Sequence, residues 1–252
     1  MEKEDLPLIL EHLSNIELYY FPQLSLGVEE LILDGEEVHH AMGVMRNEVG
    51  GKIFATNGLG NLFSCEILSK EKKSICVKSI LAETRTNLLS NIYFCIPNLK
   101  SSDRLEFALE KLVEMGFVNF VFFKGERSIY KNKRVNLERL DKIAVSAMKQ
   151  SLNLWKPNLI IDENLNQIDI ENGGENIYYL DISCHDSIEV INGNSASTKN
   201  KYLVFGPEGG LSNEELIRYP NKRGIRLSQT RLRSETAMVY AGSLLSNYLI
   251  KS

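Results

Sequence analysis

A chain of 252 residues with 43% hydrophobic content is long enough for one large domain or two smaller ones and can bury a core, which excludes a low-complexity or disordered class. Its 29 basic residues against 33 acidic ones leave a net charge of −4, so composition supplies no global attraction to nucleic acid and any RNA contact must come from local patches. Four cysteines, at 65, 76, 95 and 184, lack C-x-x-C spacing; this excludes a paired-cysteine metal or redox motif and reads as reduced, mostly buried thiols of a cytoplasmic protein.

Met1–Asp5 (MEKED) is too acidic for the basic start of a signal peptide, and Leu6–Leu10 is far too short to span a membrane. Residues 1–18 are expected to form an extension with a short helix from Leu6 to Leu13. From Tyr19 to Glu83 the signals are short strands and turns. Leu31–Leu33 precedes an Asp34-Gly35 turn, and Glu36–Arg46 reads as a single helix carrying His39 and His40. Strands are expected at Lys52–Ala55, Leu62–Leu68 and Ile75–Ile80, with a hairpin turn at Asn57–Asn61 and a basic turn at Lys70, Lys72 and Lys73. Such a unit is expected to be a compact β-barrel. Thr84–Ser90 is polar and aperiodic, and places a boundary between a domain over 19–85 and a second over 90–252.

From Asn91 onward strands and helices alternate. Strands are expected at Ile92–Ile96, Phe117–Phe123, Leu159–Ile161, Ile177–Ile182, Tyr202–Phe205 and Ile225–Leu227. Ser101 or Ser102 can cap a helix with Leu105, Ala108, Leu109, Leu112 and Val113 on one face, ending at Gly116. A second helix covers Asn136–Ser151 and a last one Glu235–Ile250. This α/β alternation predicts a mostly parallel sheet covered on both faces. In the last helix Ala237, Met238, Val239, Ala241, Leu244, Leu245, Tyr248 and Leu249 leave little polar face, so it belongs either in the core or in an interface.

Within that frame, Lys201–Gly210 (KYLVFGPEGG) reads as a buried strand running into a glycine turn. Three glycines in five residues allow positive φ and close approach of a ligand. Ser212 and Glu215 form a capping-box pattern for a helix starting near Asn213. Strand, glycine turn and helix N-terminus in succession place a ligand-binding edge there, although the same pattern also serves as a tight turn with no ligand. The loop carries neither G-x-G-x-x-G nor G-K-[ST], and the carboxylate of Glu208 would repel a polyphosphate, so a neutral or partly cationic ligand suits it better.

A second loop, Leu227–Met238 (LSQTRLRSETAM), again follows a strand and precedes a helix. GPEGGLS…E followed by LRSETA resembles the ribosomal RNA small subunit methyltransferase E family, of the SPOUT class of S-adenosyl-methionine-dependent methyltransferases. The resemblance covers roughly residues 19–250. His40–Arg46 (HAMGVMR) with Gly50-Gly51-Lys52 resembles the family's N-terminal domain; Arg104-Leu105-Glu106, Glu126-Arg127-Ser128 and Lys142-Ile143-Ala144 resemble its middle. The segment commonly reads L-G-x-R-x-L-R-x-E-T in the family; here Ser228 replaces the glycine and Thr230 the first arginine.

The resemblance implies a PUA-like barrel that helps hold RNA and a SPOUT domain with a trefoil knot, assembled as a homodimer. It also implies methylation of the N3 of one uridine in 16S rRNA of the small ribosomal subunit, with S-adenosyl-methionine as cofactor and no metal. Carried onto this chain, the cofactor residues are Leu180, Phe205, Gly206, Gly209, Gly210, Leu227, Ser228 and Leu232. Arg233 is the expected catalytic cation, with a phosphate contact or a salt bridge to Glu235 as alternatives. Glu208 is a weaker candidate for proton transfer. His40, Arg46, Arg127 and Arg231 are the expected RNA contacts, although adjacent histidines near a helix are as readily structural or solvated. A catalytically silent SPOUT protein that binds RNA in ribosome assembly is the alternative, and keeping both loops argues against it.

Overall fold

A computed structural model describes residues 16–128, 135–162, 164–165, 176–191, 199–218 and 222–251. The expected helix at Leu6–Leu13 lies outside them, as do the side chains of Tyr248 and Leu249. The chain forms two compact units: one runs to Asn87 and takes in Val145–Lys156, the other comprises Leu88–Ala144 and the chain from Pro157.

The first unit holds strands β1 (Leu18–Tyr20), β2 (Glu30–Asp34), β3 (Lys52–Thr56), β4 (Asn61–Lys70) and β5 (Ser74–Thr84), in the sheet order β1-β3-β4-β5-β2. Its long strands alternate as a half-buried sheet requires: along β5, Ile75, Val77 and Ser79 are buried while Lys78 and Ile80 are exposed. Tyr19, Phe21, Leu33, Ile53, Phe63, Ile67 and Val77 belong to one core cluster. The helix expected over Glu36–Arg46 is shorter and changes pitch. It is α-helical over α1 (Glu36–His39), passes into a π-turn over His40–Val44, and ends before Arg46, whose φ is +55°. The side-chain amide of Asn47 donates to the carbonyl of Ala41 (2.9 Å) and to the Tyr19 hydroxyl (3.3 Å), fixing the exit of the turn.

The hairpin turn at Asn57–Asn61 is held by the later segment of the same unit. The Leu154 carbonyl accepts from Gly60 N (2.9 Å) and from the Thr56 hydroxyl (3.0 Å). Gly60 sits at φ +86°, where a Cβ would lie 2.5 Å from the indole of Trp155, so no other residue fits.

The second unit is built on six strands: β6 (Ile92–Pro97), β7 (Asn119–Phe123), β8 (Asn158–Ile161), β9 (Ile177–Leu180), β10 (Lys201–Val204) and β11 (Arg223–Ile225). Their order is β11-β9-β10-β6-β7-β8, and every neighbouring pair is parallel. The central strands are buried along their whole length, as a sheet covered on both faces demands: every residue of β7 and of β10 is buried, and all are apolar except Asn119 and Lys201 at the strand starts. Around the sheet lie α2 (Ser102–Glu114), α3 (Leu137–Gln150, whose last turns join the first unit), α4 (Asn213–Arg218) and α5 (Ser234–Lys251). The α2 helix buries Leu105, Ala108, Leu109, Leu112 and Val113.

Helix α5 packs on α2 through Gly242, where a Cβ would come within 2.6 Å of Leu112 Cδ2. Met238, Ala241 and Leu245 are buried on that face, whereas Tyr240 is 43% exposed, so the helix is not enclosed all round within one chain. Among the described residues no helix is long and apolar enough to cross a membrane.

The C-terminal ends of β6, β7, β9 and β10 lie along one edge of the sheet, and the loops that leave them are therefore neighbours. β11 occupies Arg223–Ile225 rather than Ile225–Leu227, because its pairing with β9 ends at Ile225↔Leu180, where β9 itself stops. Leu227–Arg233 is consequently all loop, on the same edge.

Candidate functional site

The site is built on the loop that leaves β10. Phe205 anchors it, buried and stacked on Phe94 with ring centroids 5.6 Å apart. The chain turns through Pro207–Gly210, closed by Gly210 N donating to the Pro207 carbonyl (2.8 Å), with Gly210 at φ +73°. A Cβ at Gly209 would lie 3.0 Å from the Arg127 carbonyl oxygen. The capping box then closes: the Glu215 N–H donates to Ser212 Oγ (3.0 Å), and the Ser212 N–H donates to Glu215 Oε2 (2.7 Å).

Three other segments converge on this loop. From the end of β7, Glu126 accepts a short hydrogen bond from the Ser212 hydroxyl, and Ser128 Oγ donates to the Asn98 carbonyl (2.9 Å). From the end of β6, the Lys100 N–H donates to Glu208 Oε1 (3.0 Å). From the loop after β11, Ser234 Oγ donates to the Gly206 carbonyl (2.9 Å), and the Arg231 guanidinium donates to the Glu208 carbonyl (3.0 Å). Within that last loop Ser228 Oγ accepts from Thr230 N (3.1 Å), so the two residues that depart from the family pattern stabilise one local turn.

These segments enclose a cleft of about 640 Å³, a size suited to a small-molecule cofactor. Leu180, Phe205, Gly206, Glu208, Gly209, Gly210, Leu227, Ser228 and Leu232 all line it, together with Arg127, Arg231 and Arg233. One feature exceeds what a bare tight turn requires: Glu208 Oε2 is buried with no hydrogen-bond partner among the described residues. Gly206 and Gly209 stand where a Cβ would strike the backbone of Gly210 and Arg127, as the turn itself demands. Glu235 pairs with Arg104 (3.5 Å), not with Arg233, whose exposed guanidinium has no partner among the described residues.

His40 and Arg46 belong to the other unit. His40 Nδ1 lies 3.9 Å from Glu17 Oε1 and its ring sits against Tyr19 (6.0 Å), while Arg46 is exposed in the left-handed conformation. Burial pushes the Tyr19 hydroxyl above its ordinary pKa, so it stays a neutral partner for Asn47. Sequence reasoning missed Arg104, Asp181 and Ile182 as cleft residues, and Lys100 and Glu126 as supports of its walls. Arg104 and Glu126 stood only inside resembling stretches, and nothing in their spacing predicted contact with loops about a hundred residues away.

Comparison with known proteins identifies the class first. Residues 86–246 match the RNA methyltransferase domain, and residues 33–78 match the RNA methyltransferase PUA domain. A parallel α/β sheet with a glycine-loop cleft at its edge, and a small β unit preceding it, thus define an RNA methyltransferase. The chain is 31% identical over 230 residues to "Ribosomal RNA small subunit methyltransferase E" of Bacillus subtilis (strain 168), covering 85% of this chain and 88% of that protein. It belongs to the ribosomal RNA small subunit methyltransferase E family. A solved probable rRNA-methyltransferase from Porphyromonas gingivalis is 27% identical, with a TM-score of 0.73 over 92% of this chain and 98% of that one. A ribosomal RNA small subunit methyltransferase E from Neisseria gonorrhoeae, solved bound to S-adenosyl methionine, has the same fold at 20% identity, with a TM-score of 0.75 over 93% of this chain and 98% of that one.

Proposed function

We infer that the protein transfers a methyl group from S-adenosyl-methionine to the N3 of one uridine in 16S rRNA of the small ribosomal subunit. The observation that carries this reading is the convergence of the GPEGG and LRSETA loops on one cleft, bonded to each other through Arg231 to Glu208 and Ser234 to Gly206. Loops kept in mutual register around an open cleft support the enzyme over a silent RNA-binding protein. Family membership supports the substrate.

When bound, S-adenosyl-methionine supplies a methyl group already activated on a sulfonium. The chain's own work is to bind, orient and exclude water. Backbone of Gly206, Gly209 and Gly210, with the apolar walls of Leu180, Phe205, Leu227 and Leu232, suits a flat adenosine, and Ser228 stands at the rim. Arg233, without a charge partner among the described residues, favours the uridine anion that forms as N3 loses its proton. Glu208, whose Oε2 is buried without a donor among the described residues, is the weaker candidate for accepting a proton. Arg127 and Arg231 hold phosphate near the target, and His40 and Arg46 extend RNA contact onto a PUA-like barrel over residues 19–85. The methyltransferase domain spans 90–252, with the last segment threaded as a trefoil knot; the Ser234 bond to Gly206 supports the two loops as neighbours. The exposed Tyr240 face of α5 is consistent with a homodimer, and an rRNA substrate supports a cytoplasmic location.

The test is transfer of labelled methyl to small subunits lacking the modification, followed by digestion and nucleoside identification. A single N3-methyluridine establishes reaction, substrate and atom together. No label despite tight cofactor binding moves the substrate to another RNA; no cofactor binding returns the silent RNA-binding reading.

A further inference from the structure

The mechanism above leaves Glu126 without a task, yet this carboxylate is bound into the cleft's framework from two sides. Its Oε2 accepts the Ser212 hydroxyl, and its own N–H donates to Glu215 Oε1 (3.0 Å). Ser212 Oγ already accepts the Glu215 N–H (3.0 Å), so its single proton points to Glu126, and the ring of bonds has one consistent direction. Ser212, Glu215 and Glu126 therefore form a closed latch between the turn after β7 and the downstream end of the glycine loop. Ser212 and Glu215 are 8% exposed, so these bonds are largely shielded from water.

The same turn touches the glycine loop sterically. A Cβ at Gly125 would lie 3.0 Å from Pro207 Cγ, and one at Gly209 would lie 3.0 Å from the Arg127 carbonyl oxygen. Arg127 thus serves twice: its backbone oxygen lies directly against Gly209, and its exposed guanidinium lines the cleft. We propose that the Gly125–Ser128 turn is a shared support that sets the cofactor loop and aims Arg127 at the RNA together, with Glu126 as its positioning residue. This rests on the cofactor and substrate reading above. Its consequence is a coupling: whatever shifts the turn alters cofactor and RNA affinity at once, and by linkage each ligand tightens the other.

The experiment uses the full chain with Glu126→Ala, Glu126→Gln and Arg127→Ala. Three quantities are measured: amide exchange in ligand-free protein, S-adenosyl-methionine affinity by calorimetry, and KM for small subunits. In Glu126→Ala the hydrogen-bonded amides of Gly210 and Ser212 exchange at least tenfold faster while those of β6 and β7 do not change. Cofactor Kd and RNA KM each rise about tenfold in that variant. Glu126→Gln keeps an oxygen acceptor for Ser212 and stays within threefold of wild type on all three readouts. Arg127→Ala raises the RNA KM alone. Unchanged exchange at Ser212 in Glu126→Ala overturns the proposal, as does a rise spread evenly over the sheet, which marks Glu126 as a general stabilising residue. The exchange readout needs no ligand, so a wild-type chain that fails to bind S-adenosyl-methionine refutes the functional reading and leaves the latch decided on its own measurement.

Discussion

Replacing Gly209 with valine introduces a branched side chain at the tightest point under the cofactor loop. The first added atom, Cβ, would lie 3.0 Å from the Arg127 carbonyl oxygen and 3.1 Å from Arg127 Cβ. Comfortable non-bonded separations are about 3.5 Å or more, so the loop and the turn must part by roughly 0.5 Å before valine's two methyl groups are placed. The obstacle is backbone, and the turn that carries it is closed by Ser128 N donating to Gly125 O (3.0 Å) and held by the Glu126 bonds, so the loop is the partner that moves. Overpacking of this kind costs about 1–3 kcal/mol. Expressed in the binding-competent loop geometry, that is about a 5- to 150-fold loss of S-adenosyl-methionine affinity. Calorimetric titration reads the affinity, and a thermal melt shows that the sheet still folds. Gly210 provides the contrast: at φ +73° with nothing within 4 Å of its Cβ position, Gly210→Asn meets no collision and suits a left-handed turn, so it binds more tightly than Gly209→Val. A valine variant that binds within twofold of wild type would refute the steric reasoning and move the cofactor elsewhere.

Arg233→Ala is expected to lower methyl transfer by at least about 100-fold, in the range of a lost transition-state donor, while cofactor affinity stays within threefold; activity within a few-fold of wild type would remove Arg233 from the chemistry. Ser212→Ala removes an N-terminal cap and the donor to Glu126, and should cost about 1 kcal/mol or more in urea unfolding; an unchanged midpoint contradicts the latch. Burial pushes the Cys65 thiol up to about 12 and Cys95 well above the ordinary value, so native protein at pH 8 should be alkylated at the part-exposed Cys76 and not at these two. Because Cys65 keeps its proton in the native state and loses it above about pH 9 when unfolded, its contribution is complete below pH 9 and declines toward pH 12, by up to about 1.4 kcal/mol per pH unit. Cys65→Ala should flatten that slope in urea titrations across this range; an unchanged slope contradicts the assignment.

Much of the second unit was legible because its signals are local. An all-buried strand shows as an apolar run, and the Ser212–Glu215 capping box is written within four residues, so β10, the glycine turn and the start of α4 follow from sequence. Errors arose where a partner decides. Arg226 and Leu227 look as strand-like as Arg223, but β9 ends at Leu180, and Arg226 instead donates its N–H to the Asp186 carbonyl (2.9 Å) outside the sheet. Glu36–Arg46 has helical spacing throughout, yet the chain widens into a π-turn and Asn47 then bonds back to Ala41. Glu126 was unreadable for a sharper reason: the bond that gives it meaning spans 86 residues, and an acidic residue in a polar turn is ordinary until Ser212 is placed beside it.

Charge makes the same point about function. A net charge of −4 gave no ground for expecting RNA, and averaged over the surface it opposes adsorption to bulk nucleic acid. The fold nonetheless gathers Arg104, Arg127, Arg231 and Arg233 around one cleft. Among the described residues, Arg104 pairs with a carboxylate there, Arg231 is held by a backbone carbonyl, which fixes its direction without cancelling its charge, and Arg127 and Arg233 have no side-chain partner. Asp181, Glu208 and Glu235 line the same cleft, so the four guanidiniums exceed the carboxylates there by one, against the net negative charge of the whole chain. On the proposed function, contact with RNA is expected to depend on shape that brings phosphate to those guanidiniums rather than on the charge of the chain as a whole.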